Sequence, residues 1–156
     1  MDGRLTLAMT NSICALCADL GGALVFQGDK FRVIRADEAG FPAFYRVVWT
    51  DHVSEMSELA PSHRNLCMEV VNAVELALRE QLQPTKINLA ALGNMVAHLH
   101  WHVIARFDWD SHFPAPVWAA PLRPVDPQWL AALQARLPEV ERRIVARLDS
   151  LPAWGA

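Results

Sequence analysis

The chain has 156 residues, of which 53 % are hydrophobic and 20 % are charged, and its formal net charge is −3. This composition excludes a disordered chain, and the length suits one domain with a substantial core. Because the charge is slightly negative and no basic run occurs, we expect a small-molecule partner and neither nucleic acid nor an anionic membrane surface.

The N-terminal stretch, the hydropathy and the cysteine count together predict where the protein is located. The N-terminal LTLAMTNSICALC is apolar, but Thr10, Asn11 and Ser12 interrupt it, and no clear cleavage site follows. No later window is long and apolar enough for a membrane helix. Three cysteines do not form the even set of a secreted disulfide framework. We therefore expect a cytoplasmic protein with reduced thiols and no membrane partner.

The first third of the chain predicts three strands. Residues 23–27 and 31–35 are short apolar runs on either side of Gly28-Asp29-Lys30, which predicts a hairpin. Residues 44–49 are rich in aromatic and β-branched side chains and predict a third strand, which leads almost directly into His52.

A long helix and two more strands follow. Apolar residues recur at helical spacing from Leu66 to Leu78, after a proline at position 61 that suits a first helical turn. Segments 86–92 and 98–107 predict two further strands, with Gly93-Asn94 in the turn between them.

The C-terminal third predicts an ordered extension. Residues 108–124 are rich in proline and tryptophan, which indicates an extended segment held by aromatic packing. Asp126 followed by Pro127 predicts a helix N-cap and a first-turn proline. We expect this helical region to be interrupted or restarted near Pro138. The whole chain therefore predicts one α+β domain: an antiparallel sheet of about five strands, a long helix and an extra C-terminal helical segment.

The stretch HLHWHVI places His98, His100 and His102 at every second position. On a strand they would leave one face about 6.5 to 7 Å apart, while the apolar residues between them point into the core. They could be polar residues on a solvent-exposed face, or ligands of one metal ion, although this spacing hinders convergence on bonds of about 2.0 to 2.1 Å. We favour a catalytic row, because imidazole is weakly basic and can be nucleophilic.

This stretch resembles the His-φ-His-φ-His-φ-φ signature (φ, apolar) of the histidine triad superfamily of nucleotide hydrolases and transferases. The hairpin, VVWTDH, the long helix and KINLAALGNMV are similar to that family in order, so the resemblance spans about residues 14–107 and leaves 108–156 as an extension. The chain looks most like the bacterial branch labelled diadenosine-tetraphosphate hydrolase-like. The resemblance implies the histidine triad fold, a homodimer, a purine nucleotide or dinucleotide substrate and no organic cofactor.

The resemblance also implies catalytic roles for two histidines. His100 would attack the α-phosphorus of the nucleotide and form a transient nucleotidyl-histidine. Such a nucleophile needs a neutral ring whose other N–H is held by an acceptor, often a backbone carbonyl. His102 would contact the phosphate and assist the leaving group, either by donating a proton or by stabilising developing charge.

Five positions match substrate-binding residues of the family. Asn88 corresponds to a residue that binds phosphate or the leaving group, although the loop from there to the first histidine is a residue shorter than in common relatives. Gly93, Asn94 and Met95 correspond to a phosphate-contacting turn, where glycine permits close backbone approach. Many relatives carry serine in place of Met95, which leaves only its backbone N–H for this role. Asp37 resembles the acidic residue that holds ribose hydroxyls, but a solvated loop carboxylate is equally natural.

Cys14 and Cys17 have the two-residue gap of zinc knuckles, but one pair is half of a site. Several family members bind structural zinc through such a pair, the histidine after the third strand and the first histidine of the row. The corresponding residues here are Cys14, Cys17, His52 and His98. Reduced, buried cysteines or a redox pair are the alternatives, although no βαβ unit supports the redox role.

Four other residues lie outside these motifs. We expect His63 on the surface, Cys67 in the core, and His112 either packed in its loop or at the mouth of the site. Trp118 could close a base pocket, lie in a dimer interface or simply pack.

The main functional hypothesis is a nucleotide hydrolase or nucleotidyl transferase of the dinucleoside polyphosphate or phosphoramidate type. A zinc-stabilised nucleotide-binding module with little catalysis is an alternative, because serine is absent at position 95. A metal-dependent hydrolase with the histidine row as ligands is the weakest alternative.

Overall fold

The computed structural model describes residues 14–152, so most of the apolar N-terminal stretch considered as a leader lies outside the described residues. The strands are β1 (Ala23–Gln27), β2 (Phe31–Arg35), β3 (Phe44–Trp49), β4 (Lys86–Ala90) and β5 (His100–Arg106). The helices are α1 (Ala15–Ala18), α2 (Pro61–Leu82) and α3 (Pro127–Asp149), with a 3-10 turn at Met56–Glu58. Within this part of the chain, every helix is too short or too polar to span a bilayer.

The five strands form one antiparallel sheet in the order β1-β2-β3-β5-β4. This confirms the predicted α+β class and the strand count. Helices α2 and α3 pack against each other and against one face of the sheet, here called the helix face. The main core lies between them and includes Val47, Val74, Val103 and Ile144, all buried. The opposite face, here called the histidine face, is covered by α1 and by loops.

The predicted bounds of β1, β2 and β3 are confirmed, whereas those of the last two strands were too long. β4 ends at Ala90, which pairs with His102, and β5 begins only at His100. The N–H of His98 donates to the carbonyl of Val96 at 2.8 Å, a local turn that takes the chain out of the ladder. His98 therefore precedes the strand on which it was expected.

Helix α2 begins with the predicted first-turn proline. Pro61 occupies its first turn, and Gln83 stops it in the left-handed region at φ 49°, directly before Pro84. Cys67 is buried in the core as expected. His63 is half-buried and packs its ring 5.4 Å from that of Trp49, so it is not simply a surface residue.

Helix α3 begins as predicted, since the side chain of Asp126 accepts the N–H of Gln128 at 2.9 Å. The expected break near Pro138 is wrong, because the helix continues through that residue to Asp149. Proline removes one backbone hydrogen bond from a helix, but burial of an apolar stripe against neighbouring elements stabilises helices more than propensity does. Here Pro138 points to solvent while its neighbour Leu137 joins the buried stripe.

Candidate active site

The three histidines of the row are buried rather than exposed. His98 is 1 % exposed, His100 9 % and His102 6 %. The intervening Leu99 and Val103 are also buried, on the helix face. The interpretation of the row as polar residues on a solvent-exposed face is therefore wrong, because loops cover the face that carries it.

His98 lies at one end of the row and points into a cluster of thiols and imidazole. Its Nε2 lies 2.6 Å from the carbonyl oxygen of Trp49, and because a carbonyl only accepts, Nε2 carries the proton. The Nδ1 lone pair is therefore free. It lies 3.5 Å from the Sγ of Cys14, 3.4 Å from the Sγ of Cys17 and 3.2 Å from the Nδ1 of His52.

These four residues could hold a metal ion. Their ligand atoms lie within 4.8 Å of one another, and the Sγ of Cys17 is 3.3 Å from the Nδ1 of His52. Tetrahedral coordination with zinc–sulfur bonds of about 2.3 Å and zinc–nitrogen bonds of about 2.0 to 2.1 Å places ligand atoms about 3.3 to 3.8 Å apart. The four separations given above, from 3.2 to 3.5 Å, are close to this range. Within residues 14–152 no comparable group includes His100 or His102, which argues against one metal site on the whole row.

His100 is held by the backbone. Its Nδ1 lies 2.6 Å from the carbonyl oxygen of His98, so Nδ1–H donates and Nε2 keeps an unprotonated lone pair. Burial lowers the pKa of His100, and the positive charge of Arg46 lowers it further, although the hydrogen bond to His98 opposes both. The ring is thus neutral and oriented, which are the two properties required of a histidine nucleophile.

His102 is buried without a hydrogen bond to its Nδ1 from any residue that the structure describes. Its ring contacts those of Phe44, His100 and Trp118 edge-on, at centroid distances of 5.4, 4.9 and 5.3 Å. Burial, reinforced by His100 and Arg46, lowers its pKa to about 4. A neutral imidazole with unused hydrogen-bonding capacity indicates a position for a ligand.

Trp118 lies in the segment between β5 and α3, and its indole is 52 % exposed beside His102. Of the roles considered for it, a wall of the site fits this contact well. His112, in the same segment, is half-buried, lies 2.7 Å through Nδ1 from the Ser111 hydroxyl, and packs against Phe41. It has the packed position expected for a loop residue.

Asn88 is anchored on the histidine face by a buried arginine. Its Oδ1 accepts a hydrogen bond of 2.8 Å from Arg106. The amide nitrogen of Asn88 takes no part in that bond. Arg106 also forms a two-bond ion pair with Asp110, at 2.7 and 3.0 Å, and donates to the carbonyl of Ala115. This network fixes Asn88 and ties the strand to the following loop.

Gly93 and His100 line the same cavity of about 250 Å³. Gly93 has φ +70°, a left-handed conformation that favours glycine. The side chain of Met95 is 96 % exposed, consistent with a contribution from its backbone alone. The structure therefore brings the predicted turn and the predicted nucleophile together.

Asp37 is not brought into that cavity. It is exposed and lines a separate, larger cleft of about 740 Å³ between the loop after β2 and helix α3, and no histidine lines this cleft. The neighbouring Glu38 also lines this cleft, and its carboxylate contacts Arg46 on the histidine face at 3.3 Å. The role assigned to Asp37 therefore stays a prediction.

The HIT domain family model matches residues 20–109, which is more than half of the chain and contains the histidine row. The chain belongs to the HIT domain family. Proteins of this family are generally nucleotide-binding proteins or nucleotide hydrolases. The two residues predicted to be catalytic, His100 and His102, lie inside the matched segment. A comparison with curated proteins gave no significant match.

Solved HIT structures have the same fold. A histidine triad protein from Bradyrhizobium japonicum is 27 % identical, with a TM-score of 0.64 over 80 % of this chain and 92 % of that one. A histidine triad protein from Sinorhizobium meliloti is 28 % identical, with a TM-score of 0.62 over 77 % and 90 %. A Zn-bound histidine triad family protein from Mycobacterium smegmatis, at 19 % identity, shares the fold with a TM-score of 0.59 over 90 % and 98 %.

Three charged residues of this HIT domain site were missed in the sequence. Arg106 and Asp110 form its buried ion pair, and Arg46 lies directly opposite His102 in the sheet register. Arg106 shares the even-numbered alternation of the row, and a carboxylate four residues later was an available signal. Nothing in the sequence alone places Arg46 beside the row, because that contact depends on the pairing of β3 with β5.

Proposed function

We propose that this HIT domain protein is a nucleotide hydrolase or nucleotidyl transferase that cleaves at the α-phosphorus of a purine nucleotide derivative through His100. The orientation of His100 carries the proposal. Its Nδ1–H is fixed by the carbonyl of His98, so Nε2 presents a lone pair beside the cavity that Gly93 also lines. Nucleophilic catalysis by imidazole requires this tautomer.

The reaction proceeds in two displacements. Nε2 of His100 forms a bond to phosphorus, and the bond to the leaving group breaks with its electron pair on that group. Water then attacks the same phosphorus, and the phosphorus–nitrogen pair returns to Nε2. Across both steps, water supplies the hydroxyl that stays on phosphorus and the proton that ends on the leaving group.

His102 assists by hydrogen bonding. Since burial keeps its pKa at about 4, the ring is neutral at physiological pH and carries one N–H. Of the two roles considered for it, stabilising charge on the phosphate or leaving group fits a neutral donor better than full proton transfer. The backbone N–H groups of the turn at Gly93, Asn94 and Met95, and the amide of Asn88, supply further donors to the phosphate.

The ion held by Cys14, Cys17, His52 and His98 is proposed to be zinc. Two thiolates and two imidazoles at these separations suit tetrahedral zinc, and a Zn-bound relative is known from Mycobacterium smegmatis. The bond from His98 to the Trp49 carbonyl sets the tautomer of a ligand, as outer-shell contacts do in metal sites. A zinc ion there would be structural and would join α1, the loop after β3 and the start of the row.

Assembly and substrate class extend the proposal. We place the protein in the cytoplasm as a homodimer. The exposed edge strand β4, with Leu89 40 % exposed and Leu92 51 % exposed just beyond it, supports an interface between copies.

Dinucleoside polyphosphates and phosphoramidates are the proposed substrate classes, in line with the resemblance to the diadenosine-tetraphosphate hydrolase-like branch.

Product analysis tests the function. Diadenosine tetraphosphate, adenosine phosphoramidate and an aminoacyl-adenylate analogue are incubated with wild type, His100→Ala and His63→Ala. We expect AMP from at least one substrate, a loss of at least about 10³-fold with His100→Ala, and an unchanged rate with His63→Ala, a histidine outside the site. Nucleotide binding without AMP release would favour the non-catalytic module, and wild-type turnover by His100→Ala would exclude this nucleophile.

A further inference from the structure

Three arginines lie on the histidine face of the sheet, one each on β2, β3 and β5. Arg32 is opposite Val48, which in turn is opposite His100, and Arg46 is opposite His102. Arg106 lies four residues after His102 on β5 and therefore on the same face of the sheet. The described strands therefore place three permanent positive charges on the face that carries the buried imidazoles.

Two of these arginines are held by several hydrogen bonds within the protein. Arg32 donates to three backbone carbonyls, those of Leu16, Asp19 and Leu20. Arg106 donates to Asp110, Asn88 and Ala115 through all three of its nitrogen atoms. Both side chains stabilise local structure and have little capacity left for a ligand.

Arg46 is different. Among residues 14–152, its side chain makes one hydrogen bond, from Nη2 to the Glu38 carboxylate at 3.3 Å, which is longer than a typical charge-assisted bond. Its Nε is buried and has no partner within the same range. A guanidinium has five donors in a fixed fork, so most of the donor capacity of Arg46 is unused.

The guanidinium lies close to the proposed reaction centre. Directly opposite residues in an antiparallel pair have Cβ atoms about 4.5 to 5.5 Å apart, which puts Arg46 beside His102. The guanidinium carbon is 5.5 Å from the ring centroid of Phe44, the same ring that contacts His102 edge-on. Arg46 therefore brings a positive charge with unused donors to this place, and a phosphate matches its fork in charge and shape.

We propose that Arg46 is a specificity-determining residue that binds a second phosphate of the substrate, carried in addition to the phosphate that His100 attacks. This inference rests on the proposed function. Glu38, which is 43 % exposed, holds the guanidinium in the absence of substrate and is displaced toward solvent when the phosphate binds. The second phosphate is either the next one in a polyphosphate chain or one on the ribose.

Equilibrium binding tests this role. Titration calorimetry is done at pH 8 in a His100→Gln background, which prevents turnover, with AMP, ADP and adenosine 3′,5′-bisphosphate as probes. With Arg46 present, we expect one of the two probes that carry two phosphates to bind at least about tenfold more tightly than AMP. Preference for ADP identifies the chain phosphate, and preference for the other probe identifies the ribose phosphate.

Four variants give the decisive comparison. Arg46→Gln should reduce the preference to less than about twofold while AMP affinity changes little, and Arg46→Lys should retain part of it. Glu38→Gln should increase the preference, because the competing carboxylate charge is gone. Arg142→Gln is the charge-matched control, since Arg142 lies on α3, on the helix face, and its removal should leave the preference unchanged.

Several outcomes would overturn the inference. A preference that is absent with Arg46, one that persists in Arg46→Gln, or a loss that affects AMP equally would each exclude a second-phosphate site while leaving the His100 chemistry intact. If no probe binds and His100→Ala turns over normally, the proposed function and this inference both fail. If thermal melting shows that Arg46→Gln is unfolded, the other two variants still test the inference. Arg46→Lys should lower the preference for a second phosphate, and Glu38→Gln should raise it.

Discussion

The two faces of the sheet are stabilised in different ways. The helix face buries apolar side chains such as Val47 and Val103 against α2 and α3. Within residues 14–152, the apolar residues of the histidine face form two small clusters, around Phe44 and around Ile34, and its buried polar residues are imidazoles, arginines and Asp110. Burial of polar groups is favourable only when they are paired or bind something. The difference indicates that one face supplies stability and the other supplies chemistry.

Loss of the metal cluster should affect the histidine face most. His98→Gln removes one ligand and should lower zinc content together with the free energy of unfolding, by about 5 kcal/mol or more. The ion would otherwise hold α1 and the loop after β3 onto the sheet. Metal analysis and denaturant unfolding measure the two effects.

Cys67→Ala is the matched control, because this cysteine is buried on α2 and belongs to the helix-face core. It should lose some stability through the cavity it leaves and retain the full metal content. Full zinc stoichiometry in His98→Gln would exclude His98 as a ligand.

The Arg106–Asp110 pair should give the next largest effect. Arg106→Met leaves the Asp110 carboxylate, 3 % exposed, without its partner, and we expect destabilisation by about 3 to 5 kcal/mol. Because Asn88 also loses its anchor, activity per folded molecule should fall. The double variant Arg106→Met/Asp110→Asn should recover part of the stability but not the activity, because an amide oxygen can still accept from the N–H groups of His112 and Phe113 while the charge is gone. A lack of recovery would show that the unpaired charge is not the cause.

The pH dependence of stability should report on His102. The pKa of this residue is about 4 in the folded protein and near its ordinary value when unfolded, so between pH 6.5 and 4 the unfolded state binds more protons. Stability should therefore fall as the pH falls through this window, with His102 contributing up to about 3 kcal/mol at pH 4. The groups that face it are His100 on β5 and Arg46 on β3, with uncharged Phe44 and Trp118 beside them.

Comparison with His102→Gln isolates this contribution from the titration of the metal ligands. The variant should have a flatter stability profile below pH 6.5, measured by unfolding at a series of pH values. Parallel profiles for wild type and variant would mean that His102 is protonated in the fold as readily as in the unfolded chain.

The sequence predicted local structure better than contacts across the sheet. The bounds of β1 to β3 were correct because turn residues such as Gly28 border them. Alternation also continues beyond Ala90 and before His100, where the chain has left the regular strands, so those strands were extended too far. The uninterrupted α3 shows that packing of an apolar stripe overrides one proline, and the four-residue α1 was too short to give a periodic signal.

The site was predictable where its residues form a motif. The histidine row, the cysteine pair and Gly93 have recognisable spacing. Arg46 is recognised only because it pairs with His102, which lies 56 positions further along the chain. Asp37 and Glu38 are neighbours on a loop, and only the fold shows that the second one contacts the histidine face. Sequence patterns report which residues share an element, and pairing decides which elements meet.

The smallest predicted effect concerns the helix face. Ile144 lies on α3 and is fully buried in the main core, so Ile144→Val should lower the free energy of unfolding by about 1 kcal/mol. The rate per folded molecule should be unchanged, since a methylene lost from this core is separated by the sheet from His100. Steady-state rates well below the melting temperature, beside a thermal melt, make the comparison. A rate change of several-fold at unchanged folded fraction would show that the two faces are mechanically coupled, and the division of labour between them would not hold.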